Sequence, residues 1–142
     1  MLQKKLFTPR ACLMIAFAFF ALMVGIGTVP GKATALSSAI YDKLLHFLAY
    51  AFITALIYAG LSGTRILRGL GTILVVGVLG AIDELSQGLM PYRHANFSDW
   101  SVDMIAAMAC IASIMLIHTL AIGRRKRSVR ATVTRDKQRH GA

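Results

Sequence analysis

The feature that most restricts the fold of this 142-residue chain is a series of four long apolar segments. They span residues 11–29, 44–61, 69–90 and 100–122. Each is close to the roughly 20 residues that an α-helix needs to cross a lipid bilayer. The loops between them are short, so the sequence predicts one all-α domain, an integral membrane four-helix bundle.

The positions of the charges separate this prediction from a nucleic-acid-binding one. The formal net charge is +10, yet only 15% of the residues are charged, against about a quarter in an average soluble chain. Residues 1–10 hold three basic residues and residues 124–142 hold eight, whereas residues 11–123 hold five basic and five acidic ones. The excess charge therefore belongs to the two ends and not to a basic surface that would bind nucleic acid.

Basic flanking residues tend to remain in the cytoplasm, which predicts that both termini lie inside. The loop with Arg65 and Arg68 then also lies inside, while loops 30–43 and 91–99 face outward. The predicted organisation is a cytoplasmic N-terminus at 1–10, a transmembrane domain at 11–122 and a disordered basic tail at 123–142. Contact with the anionic cytoplasmic leaflet explains the charge of this tail without a nucleic-acid partner.

The first apolar segment has an alternative interpretation as a cleaved signal peptide. It follows a basic start and precedes the small-residue triplet at 33–35. However, its apolar run exceeds the usual 7–15 residues, and Lys32 lies beside the cleavage region, so a retained helix is favoured. Cys12 and Cys110 are predicted at different membrane depths, as small core residues without a disulfide.

Ionisable residues cluster at the outward-facing ends of the second, third and fourth segments. Such residues near apolar spans are costly unless they are paired or line a wet cavity, so the cluster is a candidate functional site. Residues three or four positions apart share a helix face, which gives each helix end a polar stripe. The pairs with this spacing are Asp42 and His46, Asp83 and Gln87, Glu84 and Gln87, and Asp99 and Asp103; Lys43 and Arg93 lie in the same helix ends and loops.

A purely structural explanation covers part of this cluster. Asp42 and Asp99 suit helix N-caps, and Lys43 and Arg93 would neutralise them in a salt-bridge belt. Asp83 is assigned to the same structural and capping group. Glu84 is not explained in this way, because it lies near the C-terminal end of its helix, where the helix dipole disfavours an acid. It is expected to have His46, Lys43 or Arg93 as a partner.

The order of these motifs resembles that of the VanZ-like membrane proteins over residues 42–107. The resemblance rests on Asp42-Lys43-x-x-His46-Phe47-x-x-Tyr50, Asp83-Glu84-x-x-Gln87, Pro91-x-Arg93 and Asp99-Trp100-x-x-Asp103. Many members have Asn at the position of Asp103, so the motif leaves open whether this residue acts as a charge or as a hydrogen-bonding group. The resemblance implies a link to low-level resistance against glycopeptide antibiotics of the teicoplanin type.

The resemblance implies a bacterial plasma membrane, and the residue types support an enzyme at its outer leaflet, acting on an envelope lipid or a lipid-linked cell-wall precursor. The predicted catalytic groups are His46, Glu84, Asp99 and Asp103, with His46 as general acid or base. Lys43, Gln87 and Arg93 would bind an anionic head group.

Other functions remain open at this point. A divalent metal on His46, Glu84, Asp99 and Asp103 is a less favoured variant, because no motif of fixed ligand spacing is present. The same groups would also suit a lipid-binding or transport protein without covalent chemistry, or an accessory protein whose polar belt only fixes helix packing. The oligomeric state is not predicted.

Overall fold

The computed structural model of the chain describes residues 8–27, 39–91 and 96–140, with side chains described for 8–27, 43–91 and 96–124. Over these residues the chain is all-helical. The helices are α1 (Pro9–Gly27), α2 (Ala39–Gly60), α3 (Arg65–Gly88) and α4 (Phe97–His140). All four are long and apolar enough to cross a membrane, which confirms the prediction of an all-α chain with four candidate spans.

The connection between α2 and α3 is a four-residue turn, so the two helices run antiparallel. Gly63 adopts a φ of +118°, which a residue with a side chain rarely adopts, and the Thr64 hydroxyl caps α3 by accepting a hydrogen bond from the Leu67 N–H. Arg68 donates from Nε and Nη2 to the Tyr58 carbonyl near the end of α2, and its guanidinium lies 4.3 Å from the Tyr58 ring centroid. These contacts hold the ends of α2 and α3 together.

A core of medium-sized and small side chains fills the space between the helices up to residue 111. It contains Ala16 of α1, Ile53 and Ile57 of α2, Val76 and Leu79 of α3, and the adjacent pair Ala106 and Ala107 of α4. Small residues allow helices to approach closely, as is usual in membrane bundles. Many large apolar side chains are exposed on all four helices, among them Met14, Leu48, Leu74 and Leu116. Such a surface suits contact with lipid and not with water.

The bounds of all four helices differ from the predicted ones, and the largest differences are the start of α2 and the end of α4. α2 begins at Ala39 instead of residue 44, because a helix end near the membrane surface accommodates the charges of residues 42 and 43. α4 continues to His140, so the backbone of residues 123–140 is helical where the sequence predicts a disordered tail. This stretch has no proline and is rich in Arg, Lys and Gln, which are good helix formers.

The chain divides into two compact units, residues 1–111 and residues 112–142. The first unit contains the apolar core and all the buried polar groups described below. Cys12 is buried, Cys110 is half-buried, and both are free, as predicted.

Candidate functional site

Polar side chains from three helices are buried together at one end of the first unit. This is the end where α2 begins, α3 ends and α4 begins. The buried members are His46 of α2, Asp83, Glu84 and Gln87 of α3, and Asp99 and Asp103 of α4. Electrostatic interactions connect Glu84 and Asp103 with the same three neighbours, His46, Asp83 and Asp99. We call this set of six residues the polar cluster.

The central contact of the polar cluster joins α2 to α4. His46 Nδ1 lies 3.1 Å from Asp103 Oδ1, and Asp103 is completely buried. A carboxylate bonded to one imidazole nitrogen fixes the orientation and tautomer of the ring. The Tyr50 ring lies one turn further along α2, stacked at 6.1 Å between ring centroids from that of His46. His46 is therefore held on two sides.

Tyr50 also joins α2 to α3. Its hydroxyl donates to Asp83 Oδ2 at 3.5 Å, and both residues are buried. Asp83 lies inside α3, whose last residue is Gly88 and whose C-cap is Leu89, so Asp83 does not cap a helix end. Its structural role is instead the contact with Tyr50, a residue that the sequence analysis placed in a motif but not in the site. The signal available for Tyr50 was its spacing of four residues from His46.

Glu84 is held by the N-terminal end of α4. Its Oε2 accepts a hydrogen bond of 2.7 Å from the backbone N–H of Asn96, the residue before α4. The expected partners were His46, Lys43 or Arg93, so the contact with Asn96 is a difference from the prediction. Its physical reason is that the first N–H groups of a helix have no partner within the helix and carry the positive end of its dipole. They compensate an acid that is unfavourably placed in α3.

Asn96, and not Asp99, is the N-cap of α4. The Asn96 side-chain oxygen accepts from the Ser98 N–H at 3.1 Å, as N-cap residues do. Asp99 is the third residue of α4, buried and bonded to the Ser98 hydroxyl at 3.2 Å. Asp42 is likewise the fourth residue of α2 and not the residue before it. The proposed N-cap roles of both acids are therefore wrong, because both helices begin earlier than predicted.

Two carboxyl oxygens in the polar cluster have no hydrogen-bond partner among the described residues. They are Glu84 Oε1 and Asp103 Oδ2, both buried. Other buried polar groups are satisfied: the hydroxyls of Thr54 and Thr72 bond to the backbone carbonyls of Tyr50 and Arg68, at 2.6 and 2.7 Å. A buried acceptor without a donor costs free energy. These two oxygens are therefore the atoms of the site that packing alone leaves unexplained.

Of the three residues predicted to bind an anionic head group, one is buried in the polar cluster. Gln87 is buried with the polar cluster, whereas Lys43 is exposed one turn before His46 on α2. Arg93 lies outside the described residues, as does the side chain of Asp42. Within the described ranges, no three His, Cys, Asp or Glu side chains form a group that would hold a metal ion. The metal variant therefore has no support from the geometry of these residues.

Trp100 supports the α4 side of the polar cluster, although the sequence placed it only in a motif and not in the site. Its indole N–H donates to the Gly77 carbonyl at 3.1 Å. Gly80, one turn further along α3, provides the space for this ring. A Cβ on Gly80 would lie 3.0 Å from Trp100 Cδ1 and 3.2 Å from Asp103 Oδ2. Because Gly80 has no side chain, Asp103 lies directly against α3.

Gly80→Ala is expected to lower the free energy of unfolding by about 1 to 3 kcal/mol, because the added methyl overpacks the contact between α3 and α4. Gly77→Ala is the matched control, since its Cβ would meet only the Met104 side chain, no closer than an ordinary 3.5 Å. The measurement is thermal unfolding of the purified full chain in detergent. Equal unfolding midpoints for the two variants would show that the space at Gly80 is not needed.

The chain matches no protein-family model, no curated protein and no solved structure. The class of protein is therefore described from the structure alone. It is an all-helical chain with four candidate membrane-spanning helices and a buried polar cluster at one end of the first unit.

Proposed function

We propose that this chain is a VanZ-like protein of a bacterial plasma membrane whose polar cluster binds or acts on an envelope lipid or a lipid-linked cell-wall precursor. The observation that carries the proposal is the buried contact between His46 and Asp103, in a polar cluster to which a third helix contributes the buried Glu84. Buried ionisable groups in membrane helices are expensive and typically serve function. In this proposal both termini are cytoplasmic and the polar cluster faces the extracytoplasmic side. A role in glycopeptide resistance of the teicoplanin type follows from the family resemblance.

The depth of the polar cluster suits a lipid head group. Glu84 lies four residues from the end of α3, and Asp103 lies six residues from the start of α4. At 1.5 Å per residue these positions are about 6 and 9 Å from the helix ends. A head group at the membrane surface reaches such a depth, whereas a soluble substrate has no hydrophobic anchor to hold it there.

In the catalytic form of this proposal, His46 is the general acid or base. Asp103 orients its ring, and an imidazole held through Nδ1 exchanges protons through Nε2. Glu84 and Asp99 supply further buried carboxyl groups within the polar cluster. The nearby serines have local partners: Ser86 and Ser101 bond to backbone carbonyls of their own helices, and Ser98 bonds to Asp99. Proton transfer is therefore favoured over attack by a serine nucleophile.

The unpartnered oxygens favour a second candidate, a lipid-binding or transport protein without covalent chemistry. Glu84 Oε1 and Asp103 Oδ2 are acceptors that a bound group would satisfy without any bond cleavage. They also argue against the third alternative, a belt that only fixes helix packing. In a belt that only fixes helix packing, the buried polar groups are expected to form hydrogen bonds with one another, whereas these two acceptors have no donor among the described residues.

Glu84→Gln and His46→Ala are expected to reduce function by about 100-fold or more, the usual contribution of a general acid or base. Growth of the producing bacterium under teicoplanin-type antibiotics or other envelope stress measures this, with protein levels in the membrane matched. Arg65→Ala is the control, because Arg65 is exposed at the opposite end of α3.

Normal growth of both variants at normal protein levels would overturn the enzymatic and the binding forms of the proposal together. If growth of the variants is impaired, a second experiment separates the two forms: purified wild-type protein is incubated with isoprenoid-phosphate lipids. Turnover supports an enzyme, and retention of the lipid without turnover supports a carrier or binding protein.

A further inference from the structure

Tyr50 is a buried polar residue of α2 to which the proposed chemistry assigns no role. It is completely buried and lies four residues after His46, on the same face of the helix. Ile53 and Ile57, which are also completely buried on α2, are apolar. A phenylalanine would fill the space of Tyr50 without the cost of burying a hydroxyl group. Packing therefore explains the ring of Tyr50 but not its hydroxyl.

The hydroxyl of Tyr50 lies among carboxyl groups of the polar cluster. It donates to Asp83 Oδ2 at 3.5 Å, which is long for a bond between a hydroxyl and an oxygen. Electrostatic interactions also connect Tyr50 with Asp103 and Glu84. A phenol suits such neighbours because it offers a proton to their oxygens. The hydroxyl thus ties α2 to the end of α3 that contributes Asp83 and Glu84.

The ring of Tyr50 acts on the orientation of His46. Rotation of an imidazole about its Cβ–Cγ bond has only broad preferences of its own, so contacts with neighbours decide where the ring nitrogens point. His46 Nδ1 lies 3.1 Å from Asp103 Oδ1, a contact that holds one edge of the ring. The Tyr50 ring is nearly parallel to the imidazole, with an interplanar angle of 12° and 6.1 Å between the centroids, as in offset-stacked aromatic pairs. A ring in this position restricts rotation of the imidazole away from Asp103.

We infer that Tyr50 is a positioning residue of the polar cluster: its ring holds His46 in contact with Asp103, and its hydroxyl ties this pair to Asp83 of α3. The inference rests on the proposed function and adds a residue to the same site. Proton transfer and head-group recognition both depend on precise placement, and a misplacement of about 1 Å costs on the order of 100-fold in rate. Tyr50 acts through His46 and Asp83, not on the ligand itself.

The first test compares Tyr50 with Tyr58, a second buried tyrosine of α2. Tyr58 lies about two turns away and contacts Arg68 at the other end of the helix, so Tyr58→Leu is the matched control for the loss of a buried tyrosine. Growth under envelope stress is measured at matched protein levels. Tyr50→Leu is expected to reduce function about tenfold or more. Tyr50→Phe, which keeps the ring, is expected to reduce it about threefold, the low end for one hydrogen bond. Tyr58→Leu retains function.

A spectroscopic test separates positioning from stability. In the full chain with isotope-labelled histidine, purified in detergent, the proton on His46 Nδ1 is expected to exchange slowly with water, because it is hydrogen-bonded to a completely buried carboxyl. His46→Ala identifies the NMR signal of this proton by removing it. We expect Tyr50→Phe and Tyr58→Leu to keep the signal. Tyr50→Leu is expected to lose it through exchange, because the imidazole is no longer held against Asp103.

A slowly exchanging Nδ1 proton in Tyr50→Leu, or an equal loss of function in Tyr58→Leu, would overturn the inference. Full function of Tyr50→Phe would contradict the part assigned to the hydroxyl. Tyr50→Met, which fills a comparable volume without a planar ring, takes the place of Tyr50→Leu if that variant does not fold. If His46→Ala and Glu84→Gln impair growth and Tyr50→Leu does not, the proposed function stands and the positioning role fails. If His46→Ala and Glu84→Gln grow normally, the proposed function fails, and the Nδ1 proton alone decides whether Tyr50 positions His46.

Discussion

Asp103→Ala is expected to lower the free energy of unfolding by about 2 to 4 kcal/mol and to abolish function. The substitution leaves a cavity at a completely buried position and removes the contact that joins His46 to α4. Thermal unfolding in detergent measures the first effect, and growth under envelope stress measures the second.

Asp103→Asn separates the hydrogen bond of this residue from its charge. The amide oxygen still accepts from His46 Nδ1, so the free energy of unfolding is expected to remain within about 1 kcal/mol of the wild type. The amide NH₂, however, takes the place of Oδ2 and presents donors where an acceptor stood. Function is expected to fall about tenfold. Full function of this variant would show that Asp103 acts as a hydrogen-bonding group, which the family resemblance left open.

Two double-mutant cycles measure the coupling energy between His46 and Asp103. Each combines His46→Ala with one variant of Asp103, either Asp103→Asn or Asp103→Ala. With Asp103→Ala, the coupling energy is expected to be about 1 to 2 kcal/mol, the upper range for hydrogen bonds between membrane helices. Strictly additive effects would contradict an energetic role for the 3.1 Å contact. In that case the loss of stability in Asp103→Ala would come from the cavity alone.

The sequence was sufficient to predict four helices, because apolar runs of bilayer length leave few other structures for a chain in lipid. It placed the helix ends less well. Hydropathy detects where a segment becomes polar, whereas a helix ends where its hydrogen bonds end. Ala39 to Asp42 and the basic residues after Gly123 are helical although they are outside the apolar runs.

The members of the candidate site were also predictable, but their pairing was not. Helical spacing brought His46, Glu84 and Asp103 to one end of the bundle, and all three are buried there. Which carboxyl faces His46 depends on the rotation of α3 and α4, which spacing within a helix does not determine. Asn96 was detectable in principle, since Asn followed three residues later by an acid is an N-terminal signal. The unpaired oxygens required the three-dimensional structure.

Gly60→Ala is expected to disrupt the packing of α1 on α2 at the opposite end of the bundle. A Cβ on Gly60 would lie 2.5 Å from Leu13 Cγ and 2.8 Å from the Pro9 carbonyl oxygen. The leucine side chain is flexible, but a backbone carbonyl yields only if the whole helix shifts. We expect a loss of about 3 kcal/mol in the free energy of unfolding, at the upper end for an overpacked contact. Thermal unfolding of the full chain measures it.

The same substitution decides whether the first helix remains part of the folded protein. Gly25→Ala is the control, since its Cβ would meet nothing within 4 Å. Leu13→Ala combined with Gly60→Ala is expected to restore only part of the stability, because the contact with Pro9 remains. If α1 were removed as a signal peptide, Gly60→Ala would be harmless in protein purified from cells, because both groups that it meets belong to α1. A clear loss of stability therefore supports a retained first helix, and an unchanged midpoint supports cleavage.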